Sequence, residues 1–547
     1  MGRNACQIST GAERSITSKT VSSWRDAVDV VESCLAAGVA EFVICAGARN
    51  GSLLEAIARA EAAGKVRVWW HFEERSAGFF ALGRIMDSAQ PCAVVTTSGT
   101  AAAELLPAVI EAFYQAKPLV AITADRPQEF RGSGAPQAIE QEGIFGVYAA
   151  ANGLEAWKGK QPLHLNIPLD EGLLFDATDF MNASVACFKP AKDRLDLAGL
   201  ARWLREGVHR GMVVMIGGLE AGEREDVFHF CQNLAVPVVA EGTSGLREAL
   251  QALAIHDEDR VLAAKPPGKV LRLGQVPSGR FWRDLENLLD VSVWSICRNG
   301  LPGLARDSHV TCGPLERVIP ALGEVEMLDD AIGLLEGSAA RQALMDELLE
   351  AFPDSEPAWF RHLSHHVAIA NSLFLGNSLP IREWNRFAQW RFPVPEVRAN
   401  RGANGIDGQL STWLGCTAHQ TNAWAIVGDL TALYDLTAPL ISGGIEQQGR
   451  VLAIIHNRGG KIFQRLPRLS LMSSRAQEWM LNSHQHDLAM LGKFWGFSEH
   501  AIKCIDDLDI LEQPVEGARL LVVHPDEEQT QAFWKAAAEL RLWRNQG

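Results

Sequence analysis

The sequence predicts an α/β protein of three consecutive domains, each a parallel sheet covered by helices. A chain of 547 residues is too long for one core and suits about three domains of roughly 150 residues each. Short apolar runs of strand length recur along the chain, separated by segments with helical periodicity. Such strands connect through βαβ units and therefore run parallel. The composition, 47% hydrophobic and 21% charged, is that of a globular protein.

The first region shows this alternation most clearly. Residues 1–19 are polar and are expected to form a flexible tail, so the first domain is assigned to residues 20–188. Apolar runs predict four strands, and the segments between them predict three helices. The strands are expected at 41–45, 66–72, 93–97 and 119–123, and the helices at 52–62, 74–86 and 101–115.

Two further regions repeat the pattern. The central domain is assigned to residues 189–350, with strands at 212–216, 236–240, 270–273 and 291–296 and a helix at 223–234. An acidic helical stretch at 338–350, followed by Phe352-Pro353-Asp354, is interpreted as the connection to a third domain at 351–547. Strands of that domain are expected near Leu373 and at 423–427, 451–455 and 520–523.

Composition excludes several classes of partner. The net charge of −15 disfavours a polyanion such as nucleic acid as the main partner. No apolar run reaches the ~18 residues of a membrane-spanning helix, and the polar N-terminus lacks the apolar core of a secretion signal. The ten cysteines are scattered without a CxxC pair, as expected of free thiols in a reducing compartment. We therefore expect a cytoplasmic protein.

Two polar motifs follow predicted strands of the third domain. Gly428-Asp429-Leu430 closes one strand, and His456-Asn457-Arg458-Gly459-Gly460 closes another, 28 residues later (457 − 429). The carboxyl ends of parallel strands meet at the ligand-binding edge of a sheet. Carboxylate and amide oxygens suit Mg²⁺ that keeps its other positions for diphosphate oxygens. Both motifs are also ordinary turn sequences, and that alternative stays open here.

Two motifs of the first domain lie at predicted strand-to-helix junctions. Glu74 would stand at a helix start, where a negative charge is favoured. Ser98-Gly99-Thr100 is a turn of small polar residues. Each has a purely structural alternative, since acidic side chains and Ser or Thr commonly cap helices.

Together these motifs resemble the thiamine-diphosphate-dependent decarboxylase and synthase superfamily. Further blocks are similar to one family within it, the 2-succinyl-5-enolpyruvyl-6-hydroxy-3-cyclohexene-1-carboxylate (SEPHCHC) synthases of menaquinone biosynthesis, the MenD family. The resemblance runs from about residue 20 to 530, dense in the first and third domains and thin in the second. The blocks are TADRP at 123–127, GAPQAI at 134–139, GNSLPIR at 376–382, NRGANGIDG at 400–408 and GGKIF at 459–463.

The resemblance implies a pyrimidine-binding domain, a central domain without cofactor and a pyrophosphate-binding domain. It also implies a site shared by two subunits of a homodimer or dimer of dimers. Glu74 would come from one chain and hydrogen-bond to the aminopyrimidine ring, while Ile406 of the other would support the bent cofactor. The ligands of Mg²⁺ (or Mn²⁺) would be Asp429, Asn457 and the carbonyl of Gly459. The other implied cofactor-binding residues are Ser98, Gly99, Thr100, Gly428, Leu430, Ile462 and Phe463.

The implied substrates are two dicarboxylates, 2-oxoglutarate and isochorismate. Guanidinium groups are suited to bind carboxylates, although any single arginine has a surface ion pair as its ordinary alternative. Ser378, Arg382 and Arg401 would hold the oxoacid. A second set would hold isochorismate: Arg49, Arg126, Gln137 and Arg280.

Four positions depart from the family pattern. Ala48 stands where serine is usual, Pro136 where asparagine is usual, Arg280 where lysine is usual and His456 where asparagine is usual. Each lost hydroxyl or amide removes a hydrogen bond of roughly 0.5–1.5 kcal/mol. These departures leave the affinity for isochorismate, and its identity as substrate, open.

Two other functions compete with this interpretation. One is a different thiamine-diphosphate enzyme, such as an acetolactate-synthase-like carboligase or a simple 2-oxoacid decarboxylase, but small apolar oxoacids need no second carboxylate receptor. The other is a non-catalytic relative that serves as a binding module, which the presence of Glu74, Asp429 and Asn457 disfavours. His362, His365 and His366 could in principle share a metal on one helix face, yet an ordinary histidine cluster is the expected explanation.

Overall fold

A computed structural model describes residues 10–170, 183–189, 195–206, 210–465, 469–514 and 516–540. The chain forms two compact units. The first comprises residues 1–191 together with the short segments 414–418 and 437–445, and the second comprises the remainder.

The first unit is built on one five-stranded sheet. Its elements are α1 (Thr10–Ala36), β1 (Glu41–Ile44), α2 (Gly51–Ala62), β2 (Arg67–Trp70), α3 (Glu74–Ser88), β3 (Cys92–Thr96), α4 (Thr100–Ala103), α5 (Leu106–Tyr114), β4 (Leu119–Asp125) and β5 (Leu163–Pro168). The strand order is β2-β1-β3-β4-β5 and every pairing is parallel. The central strands β3 and β4 are fully buried, which explains their continuous apolar sequences.

The second unit contains two parallel sheets. The elements of the first of these are α6 (Ala198–Arg205), β6 (Met212–Ile216), α7 (Arg224–Leu234), β7 (Val238–Ala240), α8 (Glu258–Ala264), β8 (Lys269–Leu273), α9 (Arg280–Asp284), β9 (Ser292–Cys297), β10 (His309–Cys312), α10 (Leu315–Leu322) and α11 (Ser338–Ala351). The strand order is β10-β9-β8-β6-β7. Apolar clusters cover both faces of this sheet.

The other sheet of the second unit has six strands. Its elements are α12 (Glu356–Val367), β11 (Ser372–Leu375), α13 (Leu379–Phe387), β12 (Glu396–Arg398), α14 (Gln409–Cys416), β13 (Ala423–Gly428), α15 (Asp429–Tyr434), β14 (Arg450–Ile455), α16 (Ser474–Leu481), α17 (Met490–Trp495), β15 (Ser498–Ile502), β16 (Ala518–Val523) and α18 (Glu527–Glu539). The strand order is β12-β11-β13-β14-β16-β15. This order places β13 and β14 side by side in the middle of the sheet.

The predicted fold class, three parallel α/β sheets in sequence, is confirmed. The helix predicted over 101–115 is wrong in one respect, because it is divided into α4 and α5. Pro107 in the first turn of α5 has no N–H to donate and cannot continue a helix from α4.

The N-terminal tail differs from the prediction. Helix α1 begins at Thr10, so residues 10–19 of the predicted tail are helical, whereas residues 1–9 lie outside the described part of the chain. The domain boundaries at 188/189 and 350/351 stay predictions. Among the described residues, no helix combines the length and apolar character needed to cross a bilayer.

Candidate active site

The two polar motifs of the third sheet lie next to each other. Strands β13 and β14 pair in parallel, with Gly428 opposite Ile455, so Asp429 and His456 both begin at the same sheet edge. Asp429 is almost completely buried, with 2% of its surface exposed. Its Oδ1 accepts a hydrogen bond from the backbone N–H of Leu430 at 2.7 Å, and its Oδ2 accepts one from Gly459 at 3.0 Å. Asp429 therefore fixes the loop that follows β14.

Gly459 is required by the backbone at this point. Its φ of 135° lies in the region that favours glycine. A Cβ atom there would stand 2.6 Å from the carbonyl oxygen of Leu481. A side chain at this position would push two backbone segments apart beside Asp429.

Asn457 is oriented by a buried carboxylate. Its Nδ2 donates to both oxygens of Glu356, at 3.1 and 3.2 Å, so its Oδ1 points away from Glu356. That Oδ1 is buried and has no hydrogen-bond partner. Burial and the charge of Glu383 raise the pKa of Glu356 to about 8. Nothing in the sequence singles out Glu356, because a glutamate in the first turn of a helix is ordinary.

Two histidines complete the surroundings of Asp429. His456 Nδ1 lies 3.6 Å and His484 Nε2 lies 3.3 Å from Asp429 Oδ2. His484 was not among the predicted site residues, since nothing in the sequence links it to β13. A buried carboxylate, an amide oxygen without partner and a glycine-dependent turn are suited to hold a divalent cation and diphosphate. The residues present fit the implied metal.

Asn377 connects residues that are predicted to bind the oxoacid and the cofactor. Its Nδ2 donates to the carbonyls of Asn400 and Gly405 at 2.8 and 2.9 Å, which holds the loop carrying the half-buried Ile406. Its Oδ1 accepts from Arg401 Nη1 at 3.0 Å. Asn377 lies within a recognised block but was not predicted as a site residue.

Two predicted arginines lie close enough to influence each other. Arg382 Nη1 donates to the carbonyl of Ser378 at 2.5 Å, and Ser378 adopts φ 74°, which is strained for a residue with a side chain. Burial and the positive charge of Arg401 lower the pKa of Arg382 to about 10. The partners of both guanidiniums are carbonyl and amide oxygens, so each remains suited to a carboxylate ligand.

A cavity of about 700 Å³ lies within the second unit. Arg280, Arg382 and Ile462 contribute to its lining. Arg280 is exposed and lies 3.6 Å from Asp284 in an ion pair. Phe463 is also exposed, in the short 3-10 turn Lys461–Arg465. Arg280, which is predicted to bind isochorismate, and Arg382, which is predicted to bind the oxoacid, thus line the same cavity within one chain.

In the first unit, Glu73 rather than Glu74 caps α3. The Glu73 carboxylate accepts from the backbone N–H groups of Arg75 and Ser76, both at 3.1 Å. Glu74 is the first residue of α3, as the sequence predicts, and the N-cap position itself is occupied by its neighbour Glu73. Burial, together with the charges of Glu73 and Glu104, raises the pKa of Glu74.

The turn at Ser98-Gly99-Thr100 is held by a residue that the sequence reasoning missed. Gly99 has φ 84°, and its N–H donates to Gln141 Oε1 at 2.7 Å. Gln141 is fully buried and also donates to the carbonyl of Ala124. The Ser98 hydroxyl is buried without a hydrogen-bond partner, as expected of a group that meets a ligand.

Three of the predicted isochorismate residues lie in this unit. Gln137 packs against Gly99, where an added Cβ would stand 3.0 Å from the Gln137 Cα. Arg126 Nε donates to the carbonyl of Pro136 at 2.8 Å, which joins its strand to the Gln137 turn. Arg49 is 5% exposed and donates to the carbonyl of Leu169 at 3.1 Å, so part of its guanidinium has a structural role.

The histidine cluster on α12 has an ordinary setting. His362 Nε2 lies 3.1 Å from the carbonyl of Pro353, and burial lowers the pKa of His362, His365 and His366. Within the described ranges, Asp429, His456 and His484 are the only His, Cys, Asp or Glu side chains that bring three potential metal-ligand atoms together.

Comparison with known proteins gives concordant results. Residues 25–144 match the family described as "Thiamine pyrophosphate enzyme, N-terminal TPP binding domain". The chain is 45% identical over 520 residues to a SEPHCHC synthase of Akkermansia muciniphila, covering 92% of this chain and 96% of the relative. It is 36% identical to the SEPHCHC synthase of Bdellovibrio bacteriovorus, covering 93% and 97%.

A solved structure supports the fold. Benzoylformate decarboxylase from Polynucleobacter necessarius superimposes with a TM-score of 0.66 at 12% identity, covering 91% of this chain and 98% of that one. At this level of identity the likeness concerns the fold alone.

Proposed function

Because this chain belongs to the family of SEPHCHC synthases, we propose that it joins 2-oxoglutarate to isochorismate with loss of carbon dioxide. As a member of that family, the chain is a thiamine-diphosphate-dependent transferase of menaquinone biosynthesis. The two substrates, the divalent cation, the individual site residues and the assembly belong to the proposal.

One observation carries the proposal. Asp429, which accepts a hydrogen bond from the Gly459 N–H, and Asn457, whose buried Oδ1 has no partner, follow the ends of two neighbouring buried strands. Ordinary turn chemistry does not require a buried amide oxygen without a partner, since such a group costs about 1–3 kcal/mol. A cation bound between Asp429 and Asn457 would satisfy it and would anchor the diphosphate.

Thiamine diphosphate, when bound, would supply the nucleophilic carbon and the electron sink that loss of carbon dioxide and transfer of the four-carbon acyl unit require. Glu74 is proposed to hold a hydrogen bond to the aminopyrimidine ring. Its raised pKa suits this role, because a carboxyl that takes up a proton readily can share one with a ring nitrogen. Ile406 would support the cofactor from the loop that Asn377 holds.

Arg382 and Arg401 are proposed to bind the carboxylates of 2-oxoglutarate. Two adjacent guanidiniums whose partners are neutral oxygens gain charge-assisted hydrogen bonds when a dicarboxylate enters. The lowered pKa of Arg382 reflects burial and the repulsion from Arg401, and a bound carboxylate would relieve that repulsion. Ser378, which is held in a strained conformation, would contribute its hydroxyl.

Arg49, Arg126, Gln137 and Arg280 are proposed to bind isochorismate. The contacts of Gln137 with Gly99 and of Arg126 with Pro136 support a common surface in the first unit. Arg280 is exposed beside Asp284, so its guanidinium can exchange that ion pair for a substrate carboxylate.

The proposed assembly is a homodimer or dimer of dimers with sites shared between chains. Two large apolar side chains flank the Glu74 loop in an exposed position: Trp70 is 52% and Phe72 is 66% exposed. A second chain covering this surface would bury them. All cysteines among the described residues are free thiols, which supports the proposed location in the cytoplasm.

The substitution Asp429→Ala tests the proposed cation site. It removes the charged cation ligand, so we expect Mg²⁺-dependent binding of thiamine diphosphate to weaken at least about 10- to 100-fold. Calorimetric titration of the cofactor into wild type and variant measures this directly. Equal affinity for the cofactor in the two proteins would refute the proposed metal site.

A further inference from the structure

Two cysteines lie side by side at the carboxyl ends of β9 and β10. In the parallel pairing of these strands, Cys297 is directly opposite Cys312. Residues opposite each other on neighbouring strands point to the same face of the sheet, and the strands are about 4.8 Å apart. A disulfide joins residues whose Cα atoms are about 4.4–6.8 Å apart. The backbone spacing of this pair therefore fits a disulfide.

The two thiols differ in exposure but contact the same loop. Cys312 is exposed, whereas only 5% of the surface of Cys297 is exposed. The Cys297 thiol donates to the carbonyl of Leu301 at 3.4 Å, and the Cys312 thiol donates to the carbonyl of Arg298 at 3.3 Å. A thiol is a weak donor, so each sulfur can give up this contact when it reacts.

A buried guanidinium lies beside the less exposed thiol. Arg272, on β8, is 1% exposed, and its Nη2 donates to the carbonyl of Leu301 at 2.7 Å. Burial lowers the pKa of Arg272, and the Cys297 sulfur, which lies within hydrogen-bonding reach, acts against this. Within the part of the chain that the structure describes, no carboxylate pairs with this guanidinium. A buried charge without an acidic partner is costly, so Arg272 is suited to stabilise a thiolate at Cys297.

Strand β10 is placed to adjust when the two sulfur atoms are joined. It is four residues long and is the last strand in the described order of its sheet, next to β9. A small shift of this edge strand would bring the two Cβ atoms to the separation of about 3.8 Å that a relaxed disulfide requires. Any strain that remains makes the bond easier to reduce. The pair therefore suits a disulfide that forms and is removed again.

We propose that Cys297 and Cys312 form a thiol–disulfide site that reacts with small-molecule disulfides, with Arg272 stabilising the Cys297 thiolate. The exposed Cys312 thiolate attacks one sulfur of the oxidant, whose sulfur–sulfur bond breaks, and one small thiolate leaves. The Cys297 thiolate then attacks the Cys312 sulfur of this mixed disulfide and displaces the second small thiolate. Two protein thiols are thereby oxidised to a disulfide, and the oxidant is reduced to two thiols that take up the two protons.

This site is separate from the proposed transferase reaction. Its three residues lie on β8, β9 and β10, whereas the proposed cation site follows β13 and β14 of the other sheet. In a reducing compartment the pair would remain as two thiols, since disulfides formed there are usually transient and redox-sensing. Oxidation would join β9 to β10 and fix the loop between them.

The test incubates the full-length protein with oxidised glutathione, blocks the remaining thiols with N-ethylmaleimide and maps the peptides by mass spectrometry without reduction. We expect wild type to give two peptides joined through Cys297 and Cys312, lighter by two hydrogen atoms and separated by dithiothreitol. In Cys297→Ser the reaction should stop with glutathione on Cys312. In Arg272→Gln glutathione should still reach Cys312, but the closing step should be at least about 10-fold slower.

Cys187 serves as the matched control. It is exposed, and its thiol also contacts a carbonyl, that of Phe188 at 3.9 Å. No cysteine lies opposite it in the described strand pairings, so glutathione should remain on Cys187 in every protein. Circular dichroism checks that the variants are folded. Glutathione that stays on Cys312 in wild type, or closure at the wild-type rate in folded Arg272→Gln, would overturn the proposal.

Discussion

Glu73 and Glu74 are adjacent carboxylates in opposite environments. Burial acts to raise the pKa of Glu73, but hydrogen bonds from Ser76 and Thr437 and the charge of Arg75 outweigh it, so the pKa is lowered. Glu74 has no such set of donors, and burial with the charge of Glu73 raises its pKa. The cap and the proposed catalytic carboxyl are thus separate residues.

We expect Glu73→Gln and Glu74→Gln to have opposite effects. Glu73→Gln weakens the cap of α3, which should lower stability by about 0.5–2 kcal/mol. Glu74→Gln replaces a carboxylate in an unfavourable site with a neutral group, so thermal stability should be unchanged or higher while turnover is lost. Melting temperature and product formation, measured on both variants, test this. A melting temperature of Glu74→Gln below that of Glu73→Gln would contradict the assignment.

His164 makes the protein sensitive to acid. It is buried in β5 beside Thr123, with Nε2 2.8 Å from the hydroxyl, and burial lowers its pKa from 6.5 to about 4. The neutral ring is favoured in the folded state. The contribution of His164 to the free energy of unfolding is therefore complete above pH 6.5. It is lost as the pH falls toward 4, and the total loss is roughly 3 kcal/mol.

His164→Gln should remove this part of the pH dependence. The melting temperature of wild type is expected to fall more than that of the variant between about pH 7.5 and about pH 5. Other histidines whose pKa is lowered by burial, such as His256 and His524, act equally in both proteins, so the difference isolates His164. Parallel pH curves for the two proteins would show that His164 is not the cause.

The residues of the proposed site that follow a strand were predictable from the sequence, whereas residues that contact them from a distant segment were not. Asp429 and Asn457 were found because parallel strands end at a common edge. Glu356, Gln141 and His484 were not found, because their contacts join segments 101, 42 and 55 residues apart (457 − 356, 141 − 99 and 484 − 429). Only the fold brings such residues together.

Among the secondary-structure elements, buried central strands were predictable, whereas of the six edge strands only β2 and β7 were predicted. Strands β3, β4 and β14 are buried at every position, so their sequences are continuous apolar runs. The edge strands β10, β12 and β15 are short and partly exposed, and they lack that signal. The strands that were not predicted lie away from the proposed site, which is at β13 and β14.

The turn after β14, which contains Gly459, can be tested by substitution. Gly459→Ala forces a side chain into a left-handed backbone and against the Leu481 carbonyl, so we expect weaker binding of metal and cofactor as well as lower stability. Gly496 also has a left-handed backbone, with φ 71°, but open space around its Cβ position. Gly496→Ala should cost about 1–2 kcal/mol through strain alone.

Calorimetric cofactor titration and melting temperatures separate the two glycine variants. Cofactor affinity should fall in Gly459→Ala and stay at the wild-type value in Gly496→Ala. Equal cofactor affinity in both variants would mean that the Gly459 turn does not shape the metal site.

For the whole molecule, alternating strands and helices were enough to predict three parallel sheets in sequence. The assignment of residues 414–418 and 437–445 to the first unit was not predictable. These segments are too short to carry a pattern of their own. They are held by contacts such as the hydrogen bond from Arg84 to the Gly415 carbonyl at 3.0 Å and the backbone pairing of Trp70 with Ser442.

The central claim is that this chain transfers a four-carbon unit from 2-oxoglutarate to isochorismate. The most direct measurement incubates the purified protein with thiamine diphosphate, a divalent cation, 2-oxoglutarate labelled in the departing carboxylate and isochorismate. Labelled carbon dioxide and the adduct are followed together, the adduct by mass spectrometry. We expect both to form in equal amounts in wild type and neither to form in Asp429→Ala. Release of carbon dioxide without any isochorismate-dependent adduct would contradict it.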